Sequence, residues 1–172
     1  CYNCARFNEH EEVFSVLPIE ITKERTLLGG LDMFFKKEIL DGSNKYHCEK
    51  CNTKSTASKC YFFKHLPWIL TIQLKSFTWD GKKLNVKVAF PLQLNVSKYG
   101  VDGLYDLYAV IVHIGKTKKM GHYVIYVKAP SGGWFIMNDD QVSAVSVKEV
   151  LKQEAYMLFY KKSPEKVAHD TR

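Results

Sequence analysis

The chain has 172 residues, of which 46% are hydrophobic and 13% aromatic, so it can build one domain of ordinary size around a sizeable core. Its net charge is +7, but the lysines form scattered pairs such as Lys82–Lys83 and Lys118–Lys119, which favours a solvated basic surface over a nucleic-acid-binding stripe. No apolar run approaches the roughly 18 residues that a membrane-spanning helix needs, and no signal peptide is visible.

The first residues already belong to a cysteine pattern. Four of the five cysteines form two C-x-x-C pairs, Cys1/Cys4 and Cys48/Cys51. An odd count at this spacing argues against a secreted disulfide framework and favours metal binding in a reducing compartment. Four thiolates close the coordination sphere of zinc, so we predict one structural Zn²⁺. The remaining thiol, Cys60, is predicted to be a small buried core residue.

The segment between the cysteine pairs predicts strands around one short helix. Residues 13–22 alternate apolar and polar side chains, which predicts a strand. A helix is predicted over residues 27–38, preceded by Thr26, because apolar side chains recur on one face there. Two glycines inside this helix should keep it short. Residues 41–44 are predicted to form a loop.

From residue 68 onward the pattern predicts a largely antiparallel sheet. Turn signals such as Asp80-Gly81 separate segments of alternating apolar side chains. Ser146 and Glu149 form a capping box, which predicts a short helix over 147–153. The fold class is therefore α+β, with few helices, and its later strands are predicted at residues 68–77, 84–90, 107–114, 122–128, 134–137 and 155–160.

One of the six histidines stands in a distinctive context. His122 follows Gly121, where a backbone can approach a ligand closely, and it opens a predicted strand. The hairpin that follows would bring Asn138 or Asp139 beside it. A histidine that acts as a base needs an acceptor on its second ring nitrogen, and either residue can serve. By itself the pattern is more typical of a structural histidine; His113 is predicted to be a packed one.

Several longer motifs occur in a fixed order along the chain. They are CYNC at 1–4, CEKC at 48–51, LPWILTIQLKSF at 66–77, and a histidine box at 105–126 that contains Gly121-His122-Tyr123. Together they resemble the ubiquitin-specific proteases, which are papain-like deubiquitinases with thumb, palm and fingers subdomains. Ser76 replaces the arginine that is usual in the palm-strand motif. The resemblance implies zinc-ribbon-like β fingers over residues 1–65, a palm sheet over 66–162 and a polar tail over 163–172.

The resemblance also implies roles for the residues around the histidine. His122 would be the general base of a Cys-His-Asn/Asp mechanism that cleaves isopeptide or peptide bonds at the C-terminal glycine of ubiquitin. Asn138 would be the third triad residue, and Asp139 would support the site. Gly121 and Tyr123 would bind substrate, in a channel narrow enough to admit only glycines.

Nothing in the chain matches the cysteine box of that family, which precedes the fingers and ends in the nucleophile. We therefore expect the nucleophilic cysteine to lie outside this chain, in a thumb segment upstream or in a separate chain, and the chain alone to be inactive. The expected partners are ubiquitin and ubiquitinated proteins in the nucleus or cytoplasm, without a membrane and without nucleic acid. A catalytically inactive ubiquitin-binding pseudoenzyme or scaffold module stays open as the alternative.

Overall fold

The computed structural model describes residues 1–164, so most of the predicted tail over 163–172 lies outside the described residues. In chain order the elements are β1 (Leu17–Ile19), α1 (Leu27–Phe35), β2 (Glu38–Leu40), β3 (Tyr46–Cys48), β4 (Thr53–Ser55), β5 (Ala57–Lys59), β6 (Ile69–Leu74), β7 (Gln93–Asn95), β8 (Leu104–Thr117), β9 (Met120–Lys128), β10 (Trp134–Asn138), β11 (Gln141–Val145), α2 (Val147–Val150) and β12 (Ala155–Lys162).

Most strands belong to a single eight-stranded sheet. Its order is β1-β6-β12-β8-β9-β10-β11, and β7 pairs with β8 off this path. The pairing of β1 with β6 is parallel, and the other pairs in the sheet are antiparallel. The α+β class and the largely antiparallel sheet are thereby confirmed. The last strand of the described residues, β12, lies inside the sheet between β6 and β8.

The core lies on the face of the sheet that α1 covers. In β6 the alternate residues Leu70, Ile72 and Leu74 are buried, as their spacing predicts. Helix α1 begins after Thr26, whose side chain accepts a hydrogen bond from the Gly29 amide at 3.0 Å. Gly30 lets this helix lie directly on β1, because a Cβ there would meet Ile19 Cγ2 at 2.4 Å.

Several predicted elements differ from the structure. The helix predicted over 27–38 ends at Phe35, and the strand predicted over 68–77 ends at Leu74. Residues 84–90 do not form a strand, because their backbone hydrogen bonds go to different parts of the chain: the Leu84 amide donates to the Ser76 carbonyl at 2.7 Å, and the Ala89 amide donates to the Arg25 carbonyl at 2.8 Å. The strand predicted over 13–22 is limited to β1, since its sheet partner β6 pairs with only three residues. The helix predicted over 147–153 ends at Val150, although its capping box is present.

Two small hairpin-like sheets stand apart from the large sheet. Strand β2 pairs with β5, and β3 pairs with β4. They carry the second cysteine pair, while β1, from the same predicted fingers segment, joins the large sheet through β6. The division into fingers and palm at residues 65 and 66 stays a prediction. No helix among residues 1–164 is long and apolar enough to cross a membrane.

Candidate active site and metal centre

The β9–β10 hairpin brings His122 and Asn138 together. His122 lies near the start of β9, and Asn138 is the last residue of the antiparallel partner β10. The His122 Nε2 atom lies 2.5 Å from Asn138 Oδ1. An amide oxygen can only accept a hydrogen bond, so Nε2 carries the hydrogen and donates it. This leaves the lone pair on Nδ1, the other ring nitrogen, free to take a proton.

Asp139 lies near the same imidazole but makes a weaker contact. Its Oδ2 atom is 4.0 Å from His122 Nε2, and 80% of its side chain is exposed. Its backbone has a φ of 52°, so the chain turns there and the two adjacent side chains both approach the histidine. The contact geometry therefore favours Asn138 as the residue that orients His122. The catalytic roles of His122, Asn138 and Asp139 stay predictions.

Packing against His113 leaves no room for a side chain at Gly121. A Cβ at this position would lie 2.0 Å from His113 Nε2 and 2.9 Å from the carbonyl oxygen of Ile114. The neighbouring Tyr123 is 51% exposed, and its ring lies 4.9 Å from that of His113. Gly121 and Tyr123 therefore form one surface over His113, on the strand that also carries His122. Their role in substrate binding stays a prediction.

A shallow apolar depression adjoins this surface, and Tyr156 forms part of its lining. The ring of Tyr156 lies 5.9 Å from that of Tyr123, and its hydroxyl accepts a 2.7 Å hydrogen bond from Gln73. The sequence-based search did not single out Tyr156 as a site residue. Its only signal was an aromatic position in the final strand, and such positions usually serve the core.

His113 is buried, as its strand register predicts. Burial lowers the pKa of its imidazole, and the nearby charge of Lys83 lowers that pKa further. The Lys83 ammonium donates to the His113 carbonyl oxygen at 2.8 Å. The folded protein therefore holds His113 in its neutral form beneath Gly121.

The buried neutral imidazole of His113 makes the free energy of unfolding depend on pH. Above the unfolded pKa near 6.5 the neutral imidazole fits the folded state, and this contribution is lost as the pH falls below that value. We expect His113→Asn to destabilise the protein at pH 8, and the loss relative to the unsubstituted protein to shrink as the pH falls to 5. Urea unfolding at both pH values measures this. An equal loss of unfolding free energy at both pH values would contradict the buried neutral state.

The four predicted metal ligands form one cluster. Their sulfur atoms all lie within 4.8 Å of one another, with Cys1 Sγ 3.9 Å from Cys51 Sγ and Cys4 Sγ 3.7 Å from Cys48 Sγ. A tetrahedral zinc with Zn–S bonds of about 2.3 Å places its sulfur ligands about 3.8 Å apart. The cluster therefore fits a tetrahedral zinc.

The clustered sulfur atoms influence one another's ionisation. The backbone amide of Cys51 lowers the pKa of the Cys48 thiol to about 7, whereas the neighbouring Cys4 thiol raises the pKa of Cys51 to about 11. Ionising one sulfur thus opposes ionising the next, unless a positive ion compensates the charge. The Tyr2 amide, within the first cysteine pair, donates a 3.0 Å hydrogen bond to the carbonyl of Thr56, which follows the second pair.

The prediction for Cys60 was wrong, because its side chain is exposed. Strand β5 ends at Lys59, and the following Tyr61 and Phe62 are also exposed, so the apolar run does not continue the sheet. Cys60 lines a groove with residues of α1 and β2, including Met33 and Ile39. None of the residues around His122 lines that groove.

The chain matches the protein family described as "Ubiquitin carboxyl-terminal hydrolase" over residues 37–160. It is 37% identical to the human protein "Ubiquitin carboxyl-terminal hydrolase 42" over 169 residues, which cover 95% of this chain and 13% of that protein. It is 38% identical to "Ubiquitin carboxyl-terminal hydrolase 25" of Arabidopsis thaliana over an alignment 176 positions long, which covers 98% of this chain and 26% of that protein.

The structure resembles solved deubiquitinase modules. A SAGA DUB module of Ubp8, Sgf11, Sus1 and Sgf73 bound to monoubiquitin superposes with a TM-score of 0.80 at 34% identity, covering 95% of this chain and 38% of the matched one. The module bound to ubiquitin aldehyde gives a TM-score of 0.73 at 34% identity, covering 87% and 36%. The chain thus spans little more than a third of these solved chains, and less of the two relatives.

Proposed function

The chain belongs to the ubiquitin carboxyl-terminal hydrolase family, and from this we propose that it is the part of a ubiquitin-specific cysteine protease that supplies the general base. The observation that carries the proposal is the contact between His122 Nε2 and Asn138 Oδ1. It fixes the tautomer in which Nδ1 is free to take a proton. The substrates would be ubiquitinated proteins, cleaved at the C-terminal glycine of ubiquitin.

The reaction would follow acyl transfer through a thiolate. A cysteine outside these residues gives its proton to His122 Nδ1, and its sulfur attacks the carbonyl carbon of ubiquitin's last glycine. His122 then donates that proton to the departing lysine amine as the C–N bond breaks. Water, deprotonated by the same imidazole, hydrolyses the thioester, releases ubiquitin and restores the thiol.

Asn138 would act on the histidine rather than on substrate. By accepting the Nε2 hydrogen it holds the ring in one orientation through both proton transfers. Asp139, at 4.0 Å and largely exposed, adds a weak and screened field at the same nitrogen. Gly121 and Tyr123 would border the passage through which the glycines of the ubiquitin tail reach His122.

We further propose that Cys1, Cys4, Cys48 and Cys51 hold one structural zinc. The spacing of their sulfur atoms supports this role, and four protein ligands leave no open position for a substrate or a water. The ion would join the first residues of the chain to the β3–β4 hairpin. It would stabilise the fingers region and would take no part in the reaction.

The positions of the five cysteines allow a direct test of the proposal that the nucleophile lies outside these residues. Four cysteines lie in the metal cluster, and Cys60 lines a different groove from the surface around His122. We therefore expect the isolated 172 residues to show no turnover of a fluorogenic ubiquitin substrate, while the complete enzyme cleaves it. Turnover by the isolated chain would contradict the assignment of the nucleophile. A complete enzyme that binds ubiquitin without cleaving it would instead support the pseudoenzyme alternative.

A further inference from the structure

A loop and the tip of the β8–β9 hairpin, which are distant in sequence, form one rim beside the candidate active site. We call residues 78–83 and 115–121 the lysine rim. The Lys83 amide donates to the Lys116 carbonyl at 3.0 Å, and the Lys118 amide donates to the Gly81 carbonyl at 2.9 Å. Within the first loop, the Thr78 amide bonds to the Lys82 carbonyl at 2.9 Å. These backbone bonds turn two separate lysine pairs and Lys116 into a single cluster.

The rim carries a large excess of positive charge. Asp80 is its only carboxylate, whereas five lysines belong to it: Lys82, Lys83, Lys116, Lys118 and Lys119. Asp80 pairs with Lys82 at 3.0 Å, and the nearly buried Lys83 pairs with Glu154 at 3.2 Å.

The other three lysines, Lys116, Lys118 and Lys119, are exposed. In the described part of the chain, no carboxylate lies within 4.0 Å of any of their ammonium groups. Their charge is therefore available to a partner.

The rim also exposes two large apolar side chains. Trp79 is 100% exposed, and Met120 is 73% exposed. Tryptophan is rarely left wholly in water, and it is enriched among the residues that dominate protein interfaces. A partner that contacts the rim would bury both side chains next to the lysines.

The rim lies next to the histidine proposed as the base. Met120 begins β9 two residues before His122, so the two are about 7 Å apart along the strand. The Lys83 side chain fastens the rim to β8 through its bond to the His113 carbonyl. Anything bound to the rim therefore lies near the bond that His122 would help to break.

We propose that the lysine rim binds an acidic segment of the modified protein next to the lysine that carries ubiquitin. The inference rests on the proposed function and narrows its substrate class to conjugates with Asp and Glu residues around the modified lysine. Opposite charges would draw such a segment to the rim, and Trp79 would pack on its apolar side chains. The exposed lysines of the rim would thus contact the acceptor protein, while Gly121 at its edge borders the passage for the ubiquitin tail.

The composition of the rim favours a protein over a nucleic acid. Protein surfaces that bind nucleic acid combine an extended basic groove with several stacking aromatic side chains, and arginine is frequent in them. The rim contains no arginine and a single aromatic residue, Trp79. A compact basic cluster suits a short acidic segment.

The test compares two conjugates of ubiquitin with a peptide lysine, one flanked by Asp and Glu residues and the other by Ser and Gly. We expect the complete enzyme to cleave the acidic conjugate with a kcat/KM about tenfold higher, since three exposed charges each contribute modestly. Lys116→Gln/Lys118→Gln/Lys119→Gln should bring the ratio near one. Salt at about 1 M, where the Debye length is about 3 Å, should do the same to the unsubstituted enzyme.

A matched control removes the same charge elsewhere. Lys23→Gln/Lys36→Gln/Lys148→Gln changes three exposed lysines that have no ion-pair partner among residues 1–164, and it should keep the tenfold ratio. Equal cleavage of both conjugates by the unsubstituted enzyme would overturn the inference alone. Cleavage of neither would overturn the proposed function as well. Equal cleavage together with rim-dependent binding of a single-stranded oligonucleotide would assign the rim to nucleic acid instead.

Discussion

His122→Ala is expected to lower the kcat of the complete enzyme on a fluorogenic ubiquitin substrate by about 1,000-fold or more, because both proton transfers lose their carrier. Ubiquitin binding should change little, since the side chain acts on protons in the chemical step and affinity comes from a broad surface. Steady-state kinetics and a direct binding measurement separate the two effects. Retained turnover would show that another group is the base.

The two neighbours of His122 provide the matched comparison. Asn138→Ala should slow the reaction about 100-fold, because the imidazole loses the acceptor 2.5 Å from Nε2. Asn138→Asp should retain much of the activity, because a carboxylate can accept the same hydrogen. Asp139→Ala should have the smallest effect, because this side chain is 80% exposed and 4.0 Å away. A larger loss for Asp139→Ala than for Asn138→Ala would make Asp139 the orienting residue.

Cys48→Ser is expected to remove the bound zinc and unfold the two small sheets, while the large sheet is retained. Binding to such a site contributes roughly 10 kcal/mol in small zinc domains, far more than the few buried side chains of these sheets can supply. Cys48 is the buried one of the four clustered cysteines. Elemental analysis measures the zinc, and hydrogen exchange measures protection in β3, β4 and β6.

The control for this variant is Cys60→Ser, which changes an exposed thiol outside the cluster. It should keep one zinc per chain and leave hydrogen exchange unchanged. A purified protein without zinc, whose four clustered thiols are alkylated in the native state, would contradict the metal centre. Loss of zinc in the Cys60→Ser variant would show that the ligands were assigned wrongly.

Patterns within one short segment predicted the structure well. The alternation of Leu70, Ile72 and Leu74 identified β6, because burial of one face of a strand leaves a period of two in the sequence. The capping residue Thr26 marked the start of α1 for a similar reason, since a cap is a local hydrogen bond. The two cysteine pairs could be assigned to one site because thiolates at this spacing have few other uses.

Features that depend on distant contacts could not be predicted. Residues 84–90 have strand-like composition, but at Ala89 the backbone partners are the distant residues Arg25 and Leu27. Strand β11 was missed because most of its side chains are exposed and leave no alternation. Cys60 was predicted to be buried because its neighbours in sequence are apolar, but apolar neighbours in sequence do not guarantee burial. The lysine pairs are scattered in the sequence, and only the fold brings Lys82–Lys83 and Lys118–Lys119 together.

Sequence patterns alone could not decide whether Asn138 or Asp139 orients His122. Both follow β10, and a slip of one position in the hairpin would exchange their roles. The backbone turn at Asp139, with φ of 52°, brings both side chains toward His122. Only the resulting distances, 2.5 Å and 4.0 Å, distinguish the two contacts.

The mechanism that we propose has His122 serve a cysteine that lies outside these residues and attacks the C-terminus of ubiquitin. Its most direct test is mass spectrometry of the complete enzyme after reaction with ubiquitin that carries a C-terminal electrophile. We expect one ubiquitin adduct per enzyme, on a cysteine outside the 172 residues, and much slower labelling of the His122→Ala variant. An adduct on Cys60, or labelling that is independent of His122, would contradict it.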